Sequence, residues 1–506
     1  MKNDQDVNEI ILNEGKRGKI IVGIMFAVLL AGLDATVVGT VMPTVISNLG
    51  GMALYSWVFS AYMLTTAVSM PIWGKLSDIY SKKKIFYFAI LFFLIGSVLS
   101  GFSQSMIQLI IFRAVQGIGA GGLSAVPFTI IGSIFTPEKR SKGAGALSAT
   151  WGIASILGPI TGSIIVTHFS WRLAFLINVP IGILSVLLIK QYYSELIKKD
   201  KQKIDYFGAI IFVISILSFL LAFLQFGKGA VFYSSEVISF LLISIILFLV
   251  FIKMEGRFGN PIVSLENYRI KSFGVGNLLA FLSGFAIYGV ISFVPLFVQS
   301  IQGKSPIMAG LALMPMSLAW SFSSFSSGQI IPHYGNLKMI RIGFLLMIIG
   351  FTLSMFLNYD STFIFIILFI ILIGAGMGFV TPAILVTVQN SVEKKNLGVA
   401  TSSQMLARTL GGTIGVSIMG SILSNSMQRN FDILLRSGTV VSASEILKSN
   451  LDNPQILLSS KMRSQMLPDE LNIVLSVFTG SLQNVFLLAL IVVLLAMIMS
   501  FQLRKF

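Results

Sequence analysis

Three observations predict an all-α polytopic membrane protein. Of the 506 residues, 55% are hydrophobic and only 11% are charged, which is too little charge to cover the surface of a water-soluble domain. Apolar runs of about 20 residues, long enough to cross a hydrocarbon core about 30 Å thick, recur along the whole chain. These runs are continuous, whereas a membrane β-barrel would show short segments of alternating polarity.

We predict fourteen membrane spans, each a long apolar run between charged or polar connections. The first run is too long for a cleavable signal peptide and lacks a small-residue cleavage site, so it counts as a span. Each later run is bounded by charged, glycine or proline residues, which are typical of connections. In chain order, the predicted spans are 18–42, 54–76, 84–104, 106–130, 143–167, 172–193, 206–226, 236–254, 272–298, 306–332, 338–357, 362–386, 398–424 and 476–502.

The distribution of lysine and arginine predicts which side of the membrane each connection faces. Connections after even-numbered spans carry the positive charge, as in 75–84 and 137–142, whereas 47–56 and 101–105 carry none. By the positive-inside rule, we expect both termini on the cytoplasmic side. The net charge of +16 comes mostly from these alternate connections and not from one binding patch, which argues against a nucleic-acid partner.

The composition excludes several kinds of chemistry. There are no cysteines, which excludes disulfides, thiolate metal sites and cysteine nucleophiles. The two histidines, His168 and His333, are far apart in sequence, and neither has metal-ligand spacing around it. No group of nucleophile, base and acid is evident that would support a membrane-embedded enzyme. We therefore expect no metal, no cofactor, no catalytic residue and no enzymatic activity.

An internal repeat relates the two ends of the chain. The glycines of the fifth predicted span recur with identical offsets in the thirteenth, and those of the fourth recur in the twelfth. The repeat predicts two parallel six-helix halves, which would pack around a central cavity and rock to expose it to each side in turn. The predicted units are an N-terminal half at 1–195, two inserted helices at 196–260, and a C-terminal half at 261–506 with a long extracellular loop at 425–475, interpreted as a tolerated insertion.

A carboxylate lies in the middle of the first predicted span. Asp34 is about 21 Å along that span from the cytoplasmic edge, and Arg113 is about 10 Å along the fourth span from the outer edge, so their depths nearly coincide. We expect the two side chains to meet or to share one water-filled pocket. Burial disfavours the charged carboxylate and a guanidinium favours it, so its protonation could change as the cavity switches sides. Proton coupling is our interpretation, and a static ion pair that fixes helix register is the alternative.

Five motifs are spread over nearly the whole chain. They are "LDATVVGTVMP" (33–43), "GKLSDIYSKKK" (74–84), "LIIFRAVQGIGAGG" (109–122), "GIASILGPITGS" (152–163) and "WRLAFLINVPIG" (171–182). Together they resemble the motifs of the fourteen-span drug:proton antiporters of the major facilitator superfamily, the EmrB/QacA-like branch. The chain departs from the usual pattern of that family at Ile79, Ser81 and Ser163, where arginine, glycine and glycine are more usual.

The resemblance implies a function and a location. It implies a proton-coupled multidrug efflux antiporter that exports amphipathic small molecules across the bacterial cytoplasmic membrane in exchange for protons. An exporter or translocator of a specific endogenous lipid or metabolite, or an importer on the same fold, is the alternative. We expect a monomer in the lipid bilayer, with both termini cytoplasmic.

The resemblance also implies a conformational latch at the cytoplasmic end. Asp78 would be held by the N-terminus of span 13, because a helix dipole and unpaired N–H groups favour a carboxylate there. The alternative is that Asp78 only balances the neighbouring lysines. The expected latch residues are Gly74, Asp78, Lys82, Lys83 and Gly398.

Close helix packing is expected at five positions, Gly117, Gly152, Gly158, Pro159 and Gly162. Gly158 and Pro159 would shape span 5 against the second half of the chain. Pro159 removes one helix hydrogen bond, so a kink is expected there.

Four residues are candidates for the wall of the substrate cavity from their span positions, namely Tyr62, Trp151, Gln404 and Arg408, with plain packing as the alternative role. Some relatives that export organic cations carry acids in span 13, whereas the matching stretch here, 400–412, has an arginine and no acid. Such a cavity suits neutral, monocationic or anionic amphiphiles better than dications.

Overall fold

The computed structural model describes residues 14–50, 54–195, 205–227, 234–255, 265–437 and 468–503. Regular structure in these ranges is helical and includes no strand, which confirms the predicted all-α fold. Two short 3-10 helices lie at Leu265–Arg269 and Lys394–Asn396. The α-helices, in chain order, are α1 (Glu14–Leu49), α2 (Tyr55–Ile79), α3 (Lys82–Gly101), α4 (Met106–Ile134), α5 (Arg140–His168), α6 (Leu173–Leu176), α7 (Asn178–Tyr192), α8 (Tyr206–Gly227), α9 (Ser235–Glu255), α10 (Lys271–Ser300), α11 (Pro306–Tyr334), α12 (Asn336–Ser354), α13 (Phe363–Asn390), α14 (Leu397–Ser437) and α15 (Pro468–Ser500).

Twelve helical segments of the described chain are long and apolar enough to cross a membrane, so the protein is a multi-pass membrane protein. Helix α2 is outside this group because serine, threonine and tyrosine side chains are spread along it. Helix α8 contributes a shorter apolar stretch, Phe207–Phe223. The predicted count of fourteen spans therefore remains a prediction.

Serine or threonine is the N-cap residue of several helices. Ser81, Ser105 and Ser305 precede α3, α4 and α11, and each accepts a hydrogen bond from a backbone N–H three residues further along. Thr362 does the same for α13. These oxygens satisfy N–H groups that have no partner within the helix, which fixes where each span starts.

The sixth predicted span, 172–193, corresponds to one apolar segment, Leu173–Tyr192, within which Ile177 separates α6 from α7. Pro180 lies in the first turn of α7, where its missing N–H removes no helical hydrogen bond. Within the predicted extracellular loop at 425–475, α14 continues to Ser437 and α15 begins at Pro468. Residues 438–467 lie outside the described ranges.

The buried side chains form four apolar clusters. One cluster contains residues of α10–α15 only, and two others are built mainly from α1–α5 and α7. The fourth cluster packs α8 and α9 against α2 and α14, through residues such as Ala67 and Leu406. The division of the chain at residues 195 and 261 stays a prediction.

Lysine and arginine mark one end of the bundle, which we call the basic end. Lys82–Lys84, Arg140 and Lys394–Lys395 all lie there, at the starts of α3, α5 and the short helix before α14. A series of contacts joins α1–α7 to α10–α15 in this half of the bundle. The Ser141 hydroxyl donates to the Gly328 carbonyl at 3.1 Å.

Further contacts continue this junction between the two groups of helices. The Ser321 hydroxyl donates to the Ala149 carbonyl at 2.9 Å, and the Arg140 guanidinium donates to the side-chain oxygen of Asn390 at 2.7 Å. The Gln389 amide donates to the Phe128 carbonyl at 3.0 Å. The basic half of the bundle is therefore closed by direct contacts between helices.

Candidate functional site

A buried carboxylate in α1 is the centre of the candidate site. Asp34 is only 1% exposed, yet it lies midway along an apolar helix, far from either end. Its Oδ2 accepts from the Arg113 guanidinium at 2.5 Å, and its Oδ1 accepts from the Gln116 amide at 2.7 Å and the Asn178 amide at 3.0 Å. Three donors from α4 and α7 therefore surround the carboxylate. The contact between Asp34 and Arg113 agrees with the prediction that the two residues lie at similar depths in the membrane.

Arg113 is equally enclosed, with 1% exposure. Its guanidinium also donates to the Gln116 side-chain oxygen at 2.8 Å and lies over the Tyr62 ring, 4.0 Å from the ring centroid. A guanidinium over an aromatic face gains a cation–π interaction, which is stronger where water is excluded. The ion pair, an amide and a tyrosine ring thus form one dry polar cluster, which we call the Asp34 cluster.

Asn178 is the member of the cluster that sequence reasoning missed. It is the first residue of α7, and its amide donates to Asp34 and to the Ser97 hydroxyl at 2.9 Å. The Ser97 hydroxyl in turn donates to the Phe175 carbonyl at 2.8 Å. The available signal was a buried amide in "FLINVPIG", within an otherwise apolar predicted span.

The arrangement can stabilise a charge and can also hold a proton. While Asp34 is ionised, its two oxygens accept all three hydrogen bonds, which offsets the cost of burying the charge. A proton on either oxygen would remove an acceptor from at least one donor and leave the guanidinium without its counter-ion. Protonation of Asp34 would therefore rearrange the packing of α1, α4 and α7 around it.

A second carboxylate, Asp78 near the end of α2, lies at the basic end. Its Oδ1 accepts from the Gly398 N–H at 2.6 Å and its Oδ2 from the Val399 N–H at 2.8 Å. Both donors are in the first turn of α14, where N–H groups have no partner within the helix. A side chain at Gly74 would collide with Ser402 and with the Gly398 carbonyl, so α2 and α14 touch through their backbones.

Two residues assigned to the latch, Lys82 and Lys83, also contact the end of α7, although Lys82 lies close enough to Asp78 to favour its negative charge. Lys82 forms an ion pair with Glu195 at 3.5 Å, and the Lys83 ammonium donates to the Lys190 carbonyl at 3.0 Å and to the Tyr193 carbonyl. These lysines therefore hold the end of α7 against α3. Both lysines lie in the first turn of α3, and this turn faces the end of α7. Sequence spacing does not reveal that orientation.

The predicted packing glycines contact three different neighbours. Gly117 lies against the Tyr62 carbonyl of α2, and Gly152 lies against Ser317 and Ser321 of α11. Gly158 lies against Thr36 of α1. In each case a side chain would collide with the neighbouring helix.

The expectation that Gly158 shapes α5 against the second half of the chain is wrong. Gly158 and Gly162 face Thr36 and Thr40, both in the first half. Helix α5 is continuous through Pro159, which is exposed. The residue of this set that does meet the second half is Gly152.

The four candidate cavity residues do not form one group. Tyr62 is buried under Arg113 and belongs to the Asp34 cluster, which corrects its assignment to the cavity wall. Trp151 is partly exposed beside Gly32 of α1. Gln404 is buried, whereas Arg408, one turn further along α14, is partly exposed.

Comparisons with known proteins identify the family of this chain. The family model described as "Major Facilitator Superfamily" matches residues 24–416. The chain is 36% identical over 479 residues to "Multidrug resistance protein 3" of Bacillus subtilis (strain 168), covering 94% of this chain and 93% of that protein. It is 33% identical to "Multidrug transporter protein MdtP" of the same organism, covering 88% and 84% of the two chains.

A solved structure shares the fold. The crystal structure of the human organic anion transporter MFSD10 superposes with a TM-score of 0.63, covering 94% of this chain and 99% of that one. At 14% sequence identity, this similarity concerns the arrangement of helices alone.

Proposed function

The chain belongs to the Major Facilitator Superfamily, and from this premise we propose that it is a proton-coupled antiporter that exports amphipathic small molecules. The protein is a membrane transporter and not an enzyme, as its family and its transporter-named relatives indicate. Within the superfamily, we assign it to the fourteen-span drug:proton antiporters. The fourteen spans would be the twelve long apolar segments together with α2, which is more polar, and α8, whose apolar stretch is shorter. The names of the two Bacillus subtilis relatives support drug efflux.

We place the basic end in the cytoplasm of a bacterium. Lysine and arginine near short connections favour the cytoplasmic side, so both termini would lie there. The contacts of Ser141, Arg140 and Asp78 then close the cytoplasmic side of the bundle. With this orientation the protein would be in an outward-facing state, which is the state that releases an exported substrate and receives a proton.

The observation that carries the proposal is the Asp34 cluster. A carboxylate deep in a membrane protein is costly to bury and commonly marks an ion or proton pathway. Asp34 meets this expectation, since it is fully buried and held by Arg113, Gln116 and Asn178. Protonation from outside would release these donors, and deprotonation to the cytoplasm would restore them, so one proton would enter for each cycle.

The latch supplies the second element of the mechanism. Asp78 binds the start of α14 only while the basic half is closed, because its partners Gly398 and Val399 belong to the opposite group of helices. The two hydrogen bonds therefore stabilise the outward-facing state relative to the inward-facing one. A moderate free-energy difference of this kind sets the resting population without preventing the exchange.

Purified protein in proteoliposomes with an acidic lumen tests the proposal. An amphipathic dye added outside should enter as protons leave, so the lumen should become more alkaline for the wild type. The Asp34→Asn variant should bind the dye and yet give no alkalinisation, whereas Glu138→Gln, a change at an exposed residue between α4 and α5, should behave as the wild type. Dye movement without proton movement in the wild type, or equal alkalinisation with Asp34→Asn, would refute proton coupling.

A further inference from the structure

Three charged side chains within the described helices are relevant to the bundle interior. Asp34 and Arg113 are two of them and form an ion pair. The third is Arg408, which is 11 residues after the start of α14, or about 16 Å along the helix axis. Among the described residues, no carboxylate lies within ion-pair distance of Arg408, and its side chain has no hydrogen-bond partner there.

The position of Arg408 along α14 indicates that it faces the bundle interior. Thr401, two turns earlier on the same face, accepts from the Gln389 amide of α13 at 2.9 Å, and Gln389 also bonds the Phe128 carbonyl of α4. Residues seven positions apart lie on one face of a helix. Arg408 therefore points toward the same side as the contact among α14, α13 and α4.

An aromatic ring lies next to Arg408 on this face. Gly412, one turn further along α14, abuts the ring of Tyr288, and a side chain at position 412 would collide with it. Tyr288 also lies close enough to Arg408 to interact with it electrostatically. Both side chains are partly exposed. A guanidinium and a tyrosine ring thus line the same accessible part of the interior.

An unpaired guanidinium in this position needs a polar environment or a ligand. Burying an isolated charge is costly, and such groups in membrane proteins face a water-filled cavity or a partner. Arg408 is reached by solvent, whereas the charges of the Asp34 cluster are almost completely covered. A ligand entering the interior would therefore meet a positive charge first and no available negative one.

We infer that Arg408 binds the anionic group of an amphipathic substrate, while the apolar body of that substrate packs beside Tyr288. This inference rests on the proposed export function and specifies its substrate class as amphipathic monoanions such as hydrophobic carboxylates. A guanidinium presents several N–H donors in a planar fork that matches a carboxylate in two-point contact. Asp34 cannot serve a cationic substrate without losing three hydrogen bonds.

Three probes that share one apolar body test this assignment. They are 1-pyrenebutyric acid, its methyl ester, and a pyrenebutyl trimethylammonium salt, each measured for binding to the purified full chain in detergent. Wild-type protein should bind the acid at least about tenfold more tightly than the ester, because only the acid gains a charge-assisted hydrogen bond. Arg408→Ala should remove this preference and leave ester binding unchanged, and Arg408→Lys should retain part of it.

The matched control is Arg429→Ala, which removes an exposed arginine further along α14 and should keep the preference for the acid. Equal loss of acid and ester binding in Arg408→Ala would show a structural role, and equal binding of acid and ester by the wild type would overturn the inference without any variant. Cell export separates this result from the proposed function. Asp34-dependent export of the trimethylammonium probe with no preference for the acid would refute the Arg408 assignment alone, whereas no uphill export of any of the three would refute the export function.

Discussion

Asp34 on α1 and Asn178 at the start of α7 are joined by a hydrogen bond of 3.0 Å, although 144 positions separate them in the sequence. The same amide also donates to Ser97 of α3. The carboxylate is therefore bound directly to α7 and, through the same amide, linked to α3, in addition to its contacts with α4. A change in Asp34 would be transmitted to α7 directly.

We expect Asn178→Ala to slow proton-coupled export. The ionised carboxylate would lose one of three donors, and a hydrogen bond to a charged group contributes about 1.5–3 kcal/mol. The measurement is the initial rate of dye-driven alkalinisation. Ser185→Ala is the control, since the Ser185 hydroxyl is buried on the same helix and donates to the Gly23 carbonyl instead. Equal rates for wild type and Asn178→Ala would contradict the role of this amide.

Arg113→Ala should be more harmful to stability than Asp34→Asn. Removing either partner leaves a buried charge without its counter-ion, at a cost of about 3–5 kcal/mol. Arg113→Ala also deletes a large buried side chain, whereas Asp34→Asn keeps the shape of the side chain and one acceptor oxygen. The double variant should recover part of the loss in thermal unfolding midpoint in detergent, because neither charge then remains. If the double variant were as unstable as the sum of the two single changes, the pair would not act as a unit.

Asp78→Asn should increase the inward-open population. The neutral amide loses the charge-assisted character of the two hydrogen bonds from Gly398 and Val399 and the attraction of the helix N-terminus. Distances between spin labels on α2 and α14 at the basic end should shift toward a longer-distance component. Glu393→Gln, which changes an exposed acid at the same end, should leave the distances as in the wild type. An unchanged distribution in Asp78→Asn would rule out a latch.

Gly74→Ala should produce the same shift by a steric route. An added methyl group at this position meets Ser402 and the Gly398 carbonyl, which belong to the opposite group of helices. Gly39→Ala provides a matched control because no atom lies within 4 Å of the position its methyl group would occupy. The same spin-label distances report on both variants, and an effect of equal size for the two would indicate a general loss of helix flexibility.

Single cysteines test the proposed orientation without background labelling, since the chain has no cysteine. In sealed cells, an impermeant thiol reagent should label Gln104→Cys and Asp360→Cys, which are both away from the basic end. Lys394→Cys should react only after the membrane is opened. Gln104 and Lys394 are exposed, so a lack of reaction would reflect the side of the membrane and not burial. Labelling of Lys394→Cys in sealed cells would invert the topology.

The sequence was sufficient to place Asp34 beside Arg113, because depth along a straight helix follows from residue counting. The position of Asp78 at Gly398 came from the resemblance to a transporter family, and the attraction between a carboxylate and a helix N-terminus is its physical reason. The sequence did not reveal which partners Lys82 and Lys83 have, since the end of α2, with Asp78, and the end of α7 are both close to them in the fold. That choice depends on tertiary packing.

Helix faces were harder to predict than helix positions. Gly158 marks a close contact in the sequence, but its partner, Thr36, is known only once α1 and α5 are packed together. Tyr62 was placed in the cavity from its depth, whereas its ring lies against Arg113. Spacing therefore predicts that a helix approaches a neighbour, and the identity of that neighbour requires the structure.

Among the described residues, the combination of a deep carboxylate at Asp34 and a separate, unpaired Arg408 has an electrical consequence. If Asp34 carries one proton inward per cycle and Arg408 releases one monoanion outward, both steps move positive charge in the inward sense. A resting potential that is negative inside would then favour the exchange by about 2.3 kcal/mol per charge for each 100 mV, counted twice. Exchange of one proton for a monocation would be electrically silent, and exchange for a dication would run against the potential. The membrane voltage itself would thus sort substrates by charge, in addition to any binding preference.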